Sequence, residues 1–326
     1  MHDSPLQLRP LGTTDILVSP VALGCWPIAG MTSVDVNDTD SLATLAAALD
    51  AGVNFLDTAY GYGANGESER LIAKALDHRR DELVIATKCG IHWNEQVERV
   101  LDARPATIKR ECDESLRRLN TDRVELLYLH APDPNVDVAE SAGALKGLLD
   151  AGKTRSIGVS NFTVEQLAAF HAVCPITAFQ PPYNMLHRDI ERDTLPWCRA
   201  RNISVVIYWP LMKGLLAGQL ARDHVFLPAD GRSKYPAFQG DEWRKNQDFV
   251  DVLRVLASDI GKTVAQIVVN WTLQQPGITV ALCGAKRASQ IEETAAAMDF
   301  ELTSDQLRQI DEAITARGKV ITRLPV

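Results

Sequence analysis

The sequence predicts an α/β protein, a closed (β/α)8 TIM barrel with an N-terminal β-hairpin and a long insertion between strands seven and eight. Three observations lead there: eight short apolar or β-branched runs, amphipathic stretches with helix caps between them, and a spacing of roughly 20 to 40 residues per unit. The runs are "VALGC" from Val21, "NFLD" from Asn54, "LVIATK" from Leu83, "ELLYLH" from Glu125, "RSIGVS" from Arg155, "AFQP" from Ala178, "ISVVIY" from Ile203 and "TVALCG" from Thr279. Strands alternating with helices pair in parallel, and eight regular units favour closure over a doubly wound sheet.

Each further element carries its own signal. Ahead of the repeat, "LRPLGTTDILVS" reads as a hairpin with Gly12 in its turn. Between the third and fourth runs, Ile108, Cys112, Ser115, Leu116 and Leu119 form a small-to-apolar helical stripe. Thr163 with Gln166, Thr263 with Gln266 and Thr303 with Gln306 spell capping boxes that start helices. "DAG" at Asp50 and again at Asp150 ends a helix on glycine just before a strand. About seventy residues separate the last two runs, and such an excursion on a barrel serves as a lid or binding loop. Its polar part, residues 219–248, holds Phe226, Tyr235, Phe238 and Trp243, and helical stretches rich in Val and Ile follow it. No low-complexity linker interrupts the chain, so residues 1–326 read as a single barrel domain.

Composition narrows the function. The 326 residues are 46% hydrophobic and 23% charged, ordinary for a globular protein. A net charge of -8 disfavours nucleic acid and anionic membrane surfaces as partners. The six cysteines are scattered, with neither C-x-x-C pairs nor histidines at metal spacing, which predicts reduced thiols and no metal. The start, "MHDSPLQLRPLG", has no apolar leader and no run of ~18 apolar residues follows, so the expected location is the cytoplasm.

The chemistry concentrates at strand ends. Asp57 ends the second run, Lys88 the third and His130 the fourth, while Tyr62 lies in the loop after the second. In a barrel these ends share one face, where catalytic groups sit. A phenol with a pKa of about 10 is a poor acid at neutral pH, and the Lys88 ammonium favours its ionised form. Asp57 supplies the counter-charge that keeps the amine protonated, and His130 can hydrogen-bond a substrate oxygen. Such a set protonates an oxyanion as it forms, as hydride addition to a carbonyl requires, and side chains cannot supply the hydride.

Later strand ends offer a place for a dinucleotide. Ser160, Asn161 and Gln180 suit a carboxamide, Tyr208 can stack on a nicotinamide, and Gly214 and Gly218 let backbone approach a pyrophosphate. Lys286 and Arg287 precede a helix starting near Ser289, where barrels often bind phosphate, and two cations there favour a 2'-phosphate. The expected cofactor is therefore NADP(H).

With "GVNFLDTAYGYG", "ATKCG", "SLRRLNTDRVELLYLHAPD", "IGVSNF", "YWPLMKGLL" and "GAKRASQIEET" in hand, the chain resembles the aldo-keto reductases over nearly its whole length. The resemblance implies a tetrad of Asp57, Tyr62, Lys88 and His130 with Tyr62 as general acid, acting on a small carbonyl or sugar. It implies cofactor contacts from Ser160, Asn161, Gln180 and Tyr208, then Trp209, Pro210, Leu211 and Gly214 in the seventh-strand motif. In the eighth-strand motif it implies Gly284, Lys286, Arg287, Gln290, Glu293 and Thr294, and in the substrate pocket Trp26 and Trp93. Three positions depart from the family pattern: Trp209 stands where serine is usual, Thr294 where asparagine is usual, and Cys25 where threonine is common. A second reading keeps the fold and the cofactor but makes the protein a regulatory or redox-sensing subunit with little turnover.

Within the second unit, Gly61, Gly63 and Gly66 spell the G-x-G-x-x-G of a Rossmann dinucleotide loop. The context does not fit. Four residues, Asp57 to Tyr60, separate the strand end from the first glycine, and the acidic residues some 20 positions on precede the next strand. These glycines are expected to shape a loop carrying Tyr62. A barrel isomerase or aldolase would use Lys88 as a Schiff-base former and leaves Tyr208 and "GAKR" without a role.

Overall fold

A computed structural model of the chain describes residues 8–30, 35–227 and 230–321. The N-terminal hairpin pairs β1 (Arg9–Pro10) with β2 (Leu17–Val18), and Gly12 turns within it at φ 58°. The eight predicted runs become β3 (Val21–Gly24), β4 (Phe55–Asp57), β5 (Val84–Cys89), β8 (Leu126–Leu129), β9 (Ile157–Ser160), β10 (Ala178–Gln180), β11 (Ser204–Ile207) and β12 (Ile278–Gly284). All pair in parallel and close into one barrel, β12 returning to β3. A second hairpin, β6 (Ile91–Trp93) with β7 (Arg99–Leu101), follows β5 and lies outside the eight-unit repeat.

Helices α1 (Asp38–Asp50), α2 (Glu67–Leu76), α3 (Pro105–Arg118), α4 (Val138–Asp150), α5 (Val164–Val173) and α6 (Thr194–Arg199) connect successive barrel strands. Two more, α7 (Gly240–Asp259) and α8 (Val264–Leu273), precede β12, and α9 (Ala288–Ala295) and α10 (Ser304–Arg317) follow it. All three capping boxes form, with threonine hydroxyl and glutamine side chain each satisfying a backbone N–H of the other's residue. Both "DAG" ends place their glycine in the left-handed region, Gly52 at φ 80° and Gly152 at φ 71°. The stripe on α3 is buried as expected, and Glu111 is buried with it.

Two apolar layers result. The outer one packs strands against helices; the inner one fills the barrel with Ala22, Phe55, Val84, Ala86, Leu126, Tyr128, Ala178, Val206, Val280 and Leu282. Leu11, Ile16 and Val18 of the hairpin join this inner layer and stop the N-terminal end, where Arg9 Nη1 donates to the carbonyls of Ile278 (3.1 Å) and Thr279 (3.0 Å). Tyr128 needs Gly158 as its neighbour: a β-carbon there would lie 2.3 Å from the tyrosine ring, so no other residue fits opposite it.

The period of two along a strand connects this core to the chemistry. Phe55 is followed at the same parity by Asp57, Val84 and Ala86 by Lys88, Leu126 and Tyr128 by His130, Ala178 by Gln180, and Val206 by Tyr208. The side chains that fill the barrel thus give way to polar ones at its C-terminal rim.

The excursion before α7 packs back on the rim. Phe226 meets Phe238 and Trp243 edge-on, Trp243 donates to the Arg222 carbonyl (2.9 Å), and Arg222 pairs with Asp248 (2.7 Å). Tyr235 lies against Trp209 (6.2 Å between centroids), and Lys213 sits over the Tyr235 ring. Pro228 and Ala229 of the expected lid fall outside the described residues. Among the described residues no helix is long and apolar enough to cross a membrane, and no cluster of metal-ligating side chains occurs.

Candidate active site

Lys88 is the hub of the rim. Its ammonium contacts Asp57 Oδ1 and donates to the Thr58 carbonyl (2.9 Å) and to the Tyr62 hydroxyl (3.3 Å). The side chains of Lys88 and Asp57 are 0% and 2% exposed, so neither charge has water to stabilise it and each depends on the other. Burial works to strip the proton from Lys88, but Asp57 and then Tyr62 outweigh it, and its pKa stands above the ordinary ammonium value. Gln180 Nε2 donates to the second oxygen of Asp57 (2.7 Å), which completes that carboxylate.

Tyr62 departs in one respect from the sequence expectation. Lys88 does pull its pKa down, but burial, the largest effect, and Asp57 push it up, and the phenol ends above its usual value. Lys88 acts on the phenol more strongly than Asp57 does, but burial outweighs it. The Tyr62 ring is flanked by Trp26 (5.0 Å, edge-on) and His130 (5.8 Å, edge-on). His130 is neutral: burial, with Lys88 and Arg99 in support, holds its pKa well below the ordinary imidazole value. Its Nδ1 is buried with no hydrogen-bond partner among the described residues.

The loop that carries Tyr62 is braced from behind. Gly61 passes so close to β6 that a β-carbon would lie 2.7 Å from the Ile91 carbonyl, and Trp93 Nε1 donates to the Gly61 carbonyl (2.9 Å). The first glycine of the apparent fingerprint is therefore a packing requirement. Behind the loop, buried Glu69 accepts from Thr87 (2.7 Å) and Arg118 (3.3 Å), and Arg118 also donates to the Tyr60 carbonyl (3.2 Å). None of these supports has a sequence signature, since Glu69 and Arg118 lack any local motif.

The residues expected to hold a nicotinamide join the same network. Tyr208 donates to Asn161 Oδ1 (2.8 Å), Asn161 Nδ2 donates to Ser160 (3.0 Å) and to the His130 carbonyl (3.1 Å), and Ser160 donates to the Gln180 carbonyl (2.7 Å). Asn161 sits at φ 64° to reach these partners. After β11 the backbone is left-handed at Trp209, Met212, Lys213 and Gly214. For a residue as bulky as tryptophan this costs on the order of 1–3 kcal/mol, and such cost is typical of ligand clamps. Trp209 Nε1 is also buried without a partner among the described residues. Pro210 is buried and Leu211 half-buried.

At the far side, Arg287 is exposed at the N-cap of α9, and that end receives no side-chain cap. The Lys286 N–H donates to Gln290 (2.9 Å). Gly284 is exposed and Glu293 half-buried, whereas Thr294 is buried with its hydroxyl on carbonyls of its own helix, Gln290 (3.1 Å) and Ile291 (3.3 Å). A rim with a carboxamide-sized polar cluster, orphaned buried donors and a cationic helix end fits a nicotinamide dinucleotide.

The family model described as Aldo/keto reductase family matches residues 20–315. The chain belongs to the aldo/keto reductase family. It is 37% identical over 310 residues to Aldo-keto reductase YhdN of Bacillus subtilis (strain 168), covering 94% of this chain and 93% of that one. It is 32% identical to the NADH-specific methylglyoxal reductase of Escherichia coli (strain K12), covering 94% and 98%. The structure of the glycerol dehydrogenase AKR11B4 from Gluconobacter oxydans superposes with a TM-score of 0.90 at 35% identity, covering 99% of each chain. Membership makes the chain an oxidoreductase that uses a nicotinamide cofactor. Since one relative in the family is named NADH-specific, membership alone does not choose between the two nicotinamides.

Proposed function

We propose that this aldo-keto reductase is an NADPH-dependent carbonyl reductase in which Tyr62 is the general acid. The observation that carries the reading is the sharing of one buried ammonium, Lys88, between Asp57 and the Tyr62 hydroxyl. When bound, the nicotinamide supplies hydride to the carbonyl carbon. Tyr62 gives its phenolic proton to the carbonyl oxygen as charge develops there, and Lys88 steadies the phenolate left behind. Neutral His130 orients that oxygen by hydrogen bonding, which an imidazolium would do at the cost of repelling Lys88. Gln180 fixes Asp57, and through it Lys88, at the right place. Ser160, Asn161 and Tyr208 would hold the nicotinamide end, and Lys286 and Arg287 the 2'-phosphate.

Two relatives are named for methylglyoxal and glycerol, both three-carbon compounds. A small aldehyde, ketone or sugar is accordingly the proposed substrate class. Steady NADPH oxidation with methylglyoxal or glyceraldehyde, or NADP reduction with glycerol, is the expected result. Cofactor binding without turnover across such a panel, in both directions and with either nicotinamide, would overturn it in favour of a regulatory subunit.

The cofactor assignment has its own test. Replacing Lys286 and Arg287 together with alanine is expected to weaken NADPH about 10- to 100-fold, the scale of one or two charge-assisted hydrogen bonds, and NADH far less. Fluorescence titration of both cofactors measures it, and equal losses for the two would refute the 2'-phosphate assignment.

A further inference from the structure

The β6–β7 hairpin stands between the Tyr62 loop and α3, and its two faces look in opposite directions. On one, His92 Nδ1 lies 2.7 Å from the buried carboxylate of Glu111 on α3, whose other oxygen accepts from the Gly90 N–H at 2.6 Å. On the other, Trp93 reaches the Gly61 carbonyl, one residue before Tyr62. Arg99 is the direct cross-strand partner of Trp93. The flanking hydrogen-bonded positions are Asn94 with Glu98 and Gly90 with Asp102, so Trp93 and Arg99 form a non-hydrogen-bonded pair, whose side chains lie closest together on the same face. Arg99 therefore stands on the side of the hairpin that faces Tyr62.

Its charge is not neutralised there. Among the described residues Arg99 makes no ion pair or hydrogen bond. Its neighbour Glu98 points to the opposite face of the strand, where it accepts from Asn94 (3.0 Å). The guanidinium is nonetheless felt inside the site, where it disfavours the imidazolium of His130 and favours ionisation of Tyr208. Lys88, the cation beside Tyr62, is spent on Asp57. On a chain of net charge -8, an anionic substrate meets a repulsive mean field, and a local uncompensated arginine is the device that reverses it.

We propose that Arg99 is a specificity-determining residue that selects carbonyl substrates bearing a carboxylate or a phosphate at the end remote from the reacting carbon. The proposal rests on the reductase reading above and names its substrate class. A guanidinium fork suits both anions, offering two parallel N–H donors to either.

The test compares kcat/KM for matched pairs: succinic semialdehyde against butanal for the carboxylate, and glyceraldehyde 3-phosphate against glyceraldehyde for the phosphate. Wild type is expected to favour the anionic member of at least one pair, and which pair shows it distinguishes the two anions. In Arg99→Gln the anionic-to-neutral ratio is expected to fall about tenfold or more, through KM rather than kcat, and in Arg99→Lys to recover in part. The wild-type preference should also shrink as salt is raised. A ratio unchanged by Arg99→Gln, with both members of each pair affected alike, would overturn the proposal and leave Arg99 a structural hairpin residue. Should no carbonyl turn over at all, the reductase reading fails separately. The anion site is then read by tryptophan fluorescence on titration with succinate and with inorganic phosphate. A saturable response lost in Arg99→Gln sustains the site, and identical curves for wild type and variant refute it.

Discussion

Tyr62→Phe is expected to lower kcat for carbonyl reduction by about 10²- to 10⁴-fold, the range that a positioned general acid contributes, while NADPH binds nearly as before. The substitution keeps the ring that meets Trp26 and His130 and removes only the hydroxyl that Lys88 contacts. Single-turnover NADPH oxidation reads the chemical step, and cofactor fluorescence reads binding. Comparable rates in the variant would sink the mechanism. The pH dependence follows from the same group. Burial holds the Tyr62 phenol above its usual value despite Lys88, so the proton needed for reduction is present throughout the neutral range and is lost only as pH climbs through that raised pKa. Oxidation of an alcohol needs the phenolate, so its rate should rise over the same alkaline window. A reduction profile falling already between pH 6 and 8 would identify another group as the acid.

What the sequence made legible, and what it did not, follows from how local each signal is. The eight strands stood out because each is a short apolar run bounded by caps and glycines, and the three threonine–glutamine boxes closed as spelled. Asp57, Lys88 and His130 stood out because a strand carries its chemistry at its C-terminal end. Reading one step further would have found the parity, Phe55 to Asp57 and Leu126 and Tyr128 to His130, that aims these side chains down the barrel axis. The bond from Gln180 to Asp57 had no local trace, since it joins residues 123 positions apart and exists only once the barrel closes. The same holds for Gly158, whose missing side chain is explained by Tyr128, its register partner on the neighbouring strand. Arg99 lacks a signal for a different reason: its place beside Trp93 depends on the β6–β7 pairing, which no turn motif in the sequence marks.

The other large effect expected is on stability, in Lys88→Met. Methionine keeps most of the volume but removes the charge, and Asp57 is left buried with Gln180 as its remaining side-chain donor. Deleting one member of a buried ion pair costs about 3–5 kcal/mol because the other charge is stranded. The penalty should depend on pH in a defined sense. An unfolded chain releases the Asp57 proton near 3.9, whereas burial already pushes the folded-state value up and Lys88 no longer opposes it. The folded variant then holds a proton that the unfolded chain has released, so its stability falls as pH rises from about 4 through the folded-state pKa of Asp57. In wild type Lys88 opposes that rise, so the fall should be smaller and end at a lower pH. Urea midpoints at pH 5 and pH 8 measure the difference, and adding Asp57→Asn should recover stability at pH 8 by removing the stranded charge. A variant equally weakened at both pH values, or one that Asp57→Asn destabilises further, would mean that Lys88 supports the barrel chiefly by packing against Tyr128, over whose ring its nitrogen lies at 5.9 Å, and that the ion pair is incidental to it.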